Sequence, residues 1–171
     1  MPAPEPTDAQ IRQVYDRMRA IARRRVHATG PRSFQATDLV HEAWLRLETT
    51  DRVEMSTEAR MMMLAARVMR DVLVDRAREA AALKRGGDWS RVSWESAAHV
   101  ATETPGEFLA LDQAISILQE EDAESAEVVN LKFYAGLTGD EVAQTLGLSP
   151  TTVDRRWAFA RARLWQILDE G

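Results

Sequence analysis

The chain has 171 residues, 45% of them hydrophobic and 29% charged, with a formal net charge of −5, three histidines and no cysteine. That supply of apolar side chains fills one large or two small cores, and the missing cysteines exclude disulfides, thiolate metal sites and Cys nucleophiles. No run of about eighteen apolar residues is present to span a membrane, residues 1–10 lack the basic start and apolar stretch of a secretory signal, and His27, His41 and His99 are too dispersed for a zinc site. A cytoplasmic chain without metal or cofactor is expected.

Residues 1–6 are Pro-rich and read as a disordered tail. Thr7 and Gln10 form a capping box, after which Ile11, Val14, Tyr15, Met18, Ile21 and Ala22 recur at helical spacing to about His27. Thr29-Gly30-Pro31 stops that helix. A second helix starts with Thr37 as its cap and Asp38 in its first turn, where a carboxylate complements the helix dipole. Val40, Ala43, Trp44 and Leu47 make its apolar stripe, with Asp38, Glu42 and Arg46 off it. Residues 48–56 form a polar loop. The third helix runs from about Thr57 to Arg85 and is apolar through Met61-Met62-Met63-Leu64 and Val72-Leu73-Val74. So wide an apolar girth predicts packing on more than one side, with the methionines in the core. Its later turns are basic: Arg67, Arg70, Arg76, Arg78, Lys84 and Arg85.

Gly86 and Gly87 end that helix, and residues 88–103 lack periodicity and read as a flexible linker, on which Trp89 and Trp94 favour partial docking. Thr104, Pro105 and Glu107 restart the helical pattern, with Phe108, Leu111, Ile115 and Leu118 as the stripe. A further helix covers about residues 125–134, with Val128, Val129 and Leu131 inward, and Gly136 closes it. Residues 138–165 then read as a helix-turn-helix. Thr138 and Glu141 form a capping box, Gly147 supplies a left-handed helix end, Ser149 caps the last helix and Pro150 occupies its first turn. Val153, Trp157, Ala160 and Leu164 keep one face apolar, leaving Arg155, Arg156, Arg161 and Arg163 on the remaining arc. A helix so placed can enter a DNA major groove; the alternative is an ordinary antiparallel helix pair with solvated arginines. The expected fold is all-α: a three-helix lobe over residues 7–87, a linker over 88–103 and a four-helix lobe over 104–171.

The charge is divided. Residues 1–85 carry 16 basic and 12 acidic side chains; the remainder carries 6 and 15, and residues 103–127 hold eight acidic residues and no basic one. An acidic body with a basic tip weakens unaided attraction to phosphates, so a partner must deliver the protein to DNA.

Residues 36–47, Ala-Thr-Asp-Leu-Val-His-Glu-Ala-Trp-Leu-Arg-Leu, resemble region two of the sigma-70 superfamily of bacterial RNA polymerase sigma factors, in the extracytoplasmic function (ECF) type and its LVHEA subgroup. Residues 65–70 and 74–78 resemble the following stretch of region two, and residues 131–138, continuing through the helix-turn-helix, resemble region four. The resemblance implies a non-catalytic promoter-specificity subunit that binds core RNA polymerase, recognises the minus-ten and minus-thirty-five elements and initiates transcription. Asp38, Leu39, Glu42 and Arg46 would then dock on the clamp helices of the polymerase, although Asp38 could only cap its helix and Glu42 could pair with Arg46. Arg52, in the loop expected to hold a flipped base, and Arg67, Arg70, Arg76 and Arg78 would meet minus-ten DNA. Thr151, Thr152, Arg155, Arg156 and Phe159 would read the minus-thirty-five element.

Two positions depart from the family pattern: Leu64 stands where many members have Trp, and Asp154 where a cation is common. The carboxylate of Asp154 would repel phosphate, accept from a cytosine amino group or pair with a neighbouring arginine. Phe133, Tyr134 and Leu137 either meet the polymerase flap or pack in the core. An anti-sigma factor or other inhibitor is a further partner compatible with the resemblance. The divided charge and slack linker lead us to expect that the free protein holds its lobes together, or against an inhibitor, until polymerase separates them. The competing readings are a helix-turn-helix regulator that is not a polymerase subunit, and a protein-only adaptor. No nucleophile, metal or phosphate-loop constellation supports an enzyme.

Overall fold

The computed structural model describes residues 6–29, 35–49, 57–83 and 104–170, and all secondary structure among them is helical. The first lobe consists of α1 (Asp8–Thr29), α2 (Ala36–Glu48) and α3 (Glu58–Leu83). The second consists of α4 (Pro105–Glu121), α5 (Ala123–Phe133), α6 (Gly139–Leu146) and α7 (Pro150–Glu170). The expected tail, most of the loop after α2 and the linker over 88–103 lie outside the described residues.

Local capping chemistry sets most helix starts. The Thr7 hydroxyl accepts from Gln10 N–H at 3.3 Å, while the Gln10 side chain accepts from Thr7 N–H at 2.9 Å. Thr104 and Glu107 form the same reciprocal pair ahead of Pro105, and Thr138 and Glu141 do so at the start of α6. Two starts differ from expectation. Gln35, not Thr37, caps α2, because Asp38 reaches back to accept from Gln35 N–H at 2.8 Å and pulls the helix start upstream. Likewise α5 begins before Ser125, because the Asp122 carboxylate accepts from Ser125 N–H at 3.0 Å and closes the first turn earlier.

The wide apolar girth of α3 has a direct cause: α1 and α2 cover part of it, and α4 and α5 cover another part. Met61, Met62, Ala65, Ala66, Met69, Val72, Leu73, Val74 and Ala77 are all buried. Each such Met, Val or Leu removed from water contributes roughly 1.5–3 kcal/mol. Most of the expected apolar stripes are inward, and Phe133, Tyr134 and Leu137 are core residues rather than a surface for the polymerase flap. Tyr134 lies edge-on to Phe108 and to Phe133, with ring centroids at 6.2 and 4.8 Å. In the first lobe Trp44 packs edge-on to Tyr15 at 5.6 Å and donates its indole N–H to Glu48.

The two lobes share one continuous apolar core. At one edge of their contact, Arg17 on α1 pairs with Glu141 on α6. At another, the turn after α5 leans on α1, with Gly136 at φ +61° and Ile21 Cγ1 only 3.1 Å from where a Cβ would sit.

Gly147 is also left-handed, at φ +65°, but faces open space. Gly147→Ala is therefore expected to cost about 1 kcal/mol, the strain of the left-handed backbone alone. Gly136→Ala should cost more, because Ile21 must also give way, and paired urea unfolding curves rank the two. A second expectation concerns acid. The hydrogen bond from Arg17 holds the Glu141 carboxyl at about 2, below the usual 4.5. A carboxylate depressed in this way stabilises the fold above its unfolded value, and that contribution disappears as pH falls through the folded one. The native chain should thus lose it between pH 4.5 and about 2. Glu141→Gln should be less stable at neutral pH and show a shallower decline over that window, read by unfolding midpoints at several pH values.

Candidate nucleic-acid interface

Helix α7 carries the helix-turn-helix face. Ser149 caps it, its hydroxyl accepting from Thr152 N–H at 3.2 Å, and Pro150 opens it where a missing N–H costs nothing. Val153, Ala160 and Leu164 are buried, and Trp157 is half-buried with Lys132 Nζ 5.1 Å above its ring. That packing turns Thr151, Arg155 and Phe159 outward, one turn apart on a single stripe, and all three are exposed. Phe159 keeps 49% of its surface in water. Thr152 is half-buried and its hydroxyl shares a 2.9 Å hydrogen bond with Ser149, so it belongs to the cap as much as to the face. Arg156 lies on the flank, where Glu124 on α5 pairs with it.

Asp154 sits close to the start of α6. Its Oδ1 and Lys132 Nζ both approach within 4 Å of where a Cβ on Gly139 would stand, at 3.8 and 3.7 Å. The carboxylate thus lies beside the first turn of α6, whose dipole favours an anion. Trp165, 57% exposed, extends the open side of α7 beyond Phe159 and was not among the expected contacts. Only its wide spacing along the helix hinted at that position.

On the first lobe, Asp38 is exposed at the start of α2. Glu42 and Arg46 stand one turn apart and pair at 2.9 Å. Leu39 departs from expectation: it is fully buried. It falls on the same stripe as Ala43 and Leu47, and the core claims it, so it is not part of the surface that carries Asp38, Glu42 and Arg46. The charged side chains form a chain of ion pairs across α2 and α3. Arg46 bridges Glu42 and Asp75 at 2.9 and 3.0 Å, and Arg76 bridges Glu42 and Glu79 at 2.6 and 3.1 Å. The surface expected to meet polymerase and the basic tract expected to meet DNA therefore share one carboxylate, Glu42.

The basic tract is not uniform. Arg67 and Arg78 are exposed on α3, Arg76 is tied into the pairs just described, and Arg52 lies outside the described residues. Arg70 is turned toward the second lobe. Its Nε donates to Asp112 Oδ1 at 2.6 Å, and a terminal nitrogen donates to Ser116 Oγ at 2.6 Å. Tyr134 donates its hydroxyl to the same Asp112 oxygen at 2.8 Å. Beside this pair opens a cleft of about 290 Å³ lined by Met63, Arg67, Gln119, Glu127 and Asn130. Burial pushes the Glu127 carboxyl above the usual glutamate value, and Asn130 Oδ1 is buried without a hydrogen-bond partner.

Carboxylates of the acidic segment thus hold three arginines: Asp112 holds Arg70, Glu124 holds Arg156, and Glu121 grips Arg163 through two parallel bonds of 2.6 Å. The sequence singled out the segment by its charge but not these partners, because pairing across 32 to 42 residues has no local signature. Among the described residues no cluster of three or more His, Asp or Glu could hold a metal ion, and no helix is long and apolar enough to cross a membrane.

Residues 4–170 match the family model described as ECF sigma factor. No curated protein and no solved structure matches the chain. A match over nearly the whole length, joined to an exposed helix-turn-helix face and a basic second surface, places this chain in the ECF sigma factor family, as a promoter-specificity subunit of RNA polymerase.

Proposed function

We propose that the two surfaces divide promoter recognition between them. The stripe of Thr151, Arg155 and Phe159 on α7, flanked by Thr152 and Arg156, enters the major groove of the minus-thirty-five element. An arginine there can bond two acceptors of guanine, and Phe159 can contact a thymine methyl. The basic side of α3, through Arg67, Arg70, Arg76 and Arg78 with Arg52 from the preceding loop, neutralises phosphates of the minus-ten strands. Asp38, Glu42 and Arg46 meet the clamp helices of the polymerase. The protein acts in the cytoplasm, where the polymerase is, and its release from an inhibitor is one route by which a signal could be passed on.

The observation that carries this reading is the open side of α7. Every apolar residue needed for packing is inward, yet an aromatic ring and an arginine a turn before it remain in water. An aromatic ring and an arginine one turn apart give such a face both a donor pair for guanine and an apolar contact for a thymine methyl.

Reconstitution of the chain with bacterial core polymerase on a promoter library should yield start sites that core alone does not use; identical start sites would reject the assignment. On such a promoter, Arg155→Ala should weaken recognition by about 1–3 kcal/mol if it contacts a base, measured as the loss of preference between cognate and mutated upstream elements. Glu42→Gln should lower affinity for core polymerase in a titration while leaving the helical circular dichroism signal unchanged. Full affinity in that variant would confine Glu42 to its pairs with Arg46 and Arg76.

A further inference from the structure

Base edges are reached from the first turns of a recognition helix, so the promoter reading leaves the second half of α7 without an occupant. That half is nonetheless apolar on its open side. Opposite the packed line of Val153, Ala160 and Leu164, the side chains in water are Arg155, Ala158, Phe159, Ala162, Trp165 and Asp169. They recur at intervals of three and four, the spacing of a seam that receives another helix. Phe159 and Trp165 are 49% and 57% exposed, while Ala158 and Ala162 carry only methyl groups and let a second backbone come close.

The pattern about Ala162 specifies which helix that is. Seven positions before it stands Arg155 and seven after it Asp169; three before it stands Phe159 and three after it Trp165. An antiparallel copy of α7, related by a two-fold axis through Ala162, therefore sets Arg155 against Asp169 and Phe159 against Trp165, each twice. The two rings lie about 60° to either side of Ala162 around the helix, so they fill the seam side by side without colliding. Neither Arg155 nor Asp169 has an ion pair among the described residues, unlike Arg156 and Arg163 nearby. We propose that the open side of α7 is a self-association surface, on which a second copy of this chain docks antiparallel about Ala162 and covers Arg155 and Phe159. About four turns of one helix bury less than the ~1,200 Å² at which stable complexes begin, so the dimer is weak and depends on concentration. Arg155 and Phe159 cannot face a second copy and the minus-thirty-five duplex at once, so self-association and promoter reading exclude each other. That consequence rests on the assignment of both residues to DNA made above.

The test uses the full chain, which has no native cysteine, so single introduced thiols report the register. Under mild oxidation Ala162→Cys should give a disulfide-linked dimer, because only a residue on the axis meets its own copy within bonding distance. Ala158→Cys alone should not, yet it should cross-link when mixed with Gln166→Cys, its opposite number in this register. Sedimentation equilibrium of the unmutated chain should show monomer passing to dimer as concentration rises. Asp169→Arg should weaken that association roughly tenfold or more by opposing like charges, and the swapped chain with Arg155→Asp and Asp169→Arg should recover it. A monomer at every concentration, equal self-linking at Ala158 and Ala162, or indifference to Asp169→Arg would overturn the dimer. So would an Ala162→Cys thiol that only core polymerase shields from alkylation, which would give the face to the polymerase. The linked dimer should lose promoter-specific initiation with core polymerase and regain it on reduction; full initiation from the linked form would overturn the exclusion. Start-site selection by dilute, monomeric protein reads the promoter assignment separately, so the two can fail independently.

Discussion

A guanidinium that leaves water has to meet an anion, and the position of that anion decides what the guanidinium can still do. In this chain the anions come largely from one segment, residues 103–127, which carries eight carboxylates and no cation. Its side chains reach Arg70 on the first lobe and Arg156 and Arg163 on the last helix. The segment therefore organises both basic surfaces of a protein whose partner, DNA, is itself a polyanion. Pairs that stay in water, such as Glu121 with Arg163, contribute little to stability. The consequence of all three pairs is positional: each carboxylate fixes where its arginine lies.

The apolar framework makes these pairings possible. Helix α3 has no free apolar side, because α1 and α2 share it with α4 and α5. That shared packing brings Arg70 within reach of α4 and places Arg17 opposite Glu141. Glu42 shows the same economy inside the first lobe, where a single carboxylate serves Arg46 toward one surface and Arg76 toward the other. A polymerase that draws on Glu42 necessarily changes the surroundings of Arg76.

Family membership and the exposed side of α7 point the same way: the side chains left in water there include an arginine, a threonine and a bare aromatic ring. Asp154 also finds a place. Its carboxylate lies beside the first turn of α6, where a helix dipole favours an anion.

Helix identity, most boundaries and the exposed stripe of the last helix were legible from residue order because they rest on interactions within one or two turns. Thr104 with Glu107, Thr138 with Glu141, and the left-handed Gly147 each announce themselves over a few positions. The stripe of Thr151, Arg155 and Phe159 follows from the helical period once Val153, Ala160 and Leu164 are assigned inward. Local rules failed where two solutions were close in energy: Gln35 is a poor cap by type but gains the start of α2 through Asp38, and Leu39 sits at the margin between a charged sector and the core. The partners of Arg17, Arg70, Arg156 and Arg163 were settled only by packing. An ion pair between residues 32 to 124 positions apart depends on where whole helices come to rest, and no periodicity along the chain encodes that.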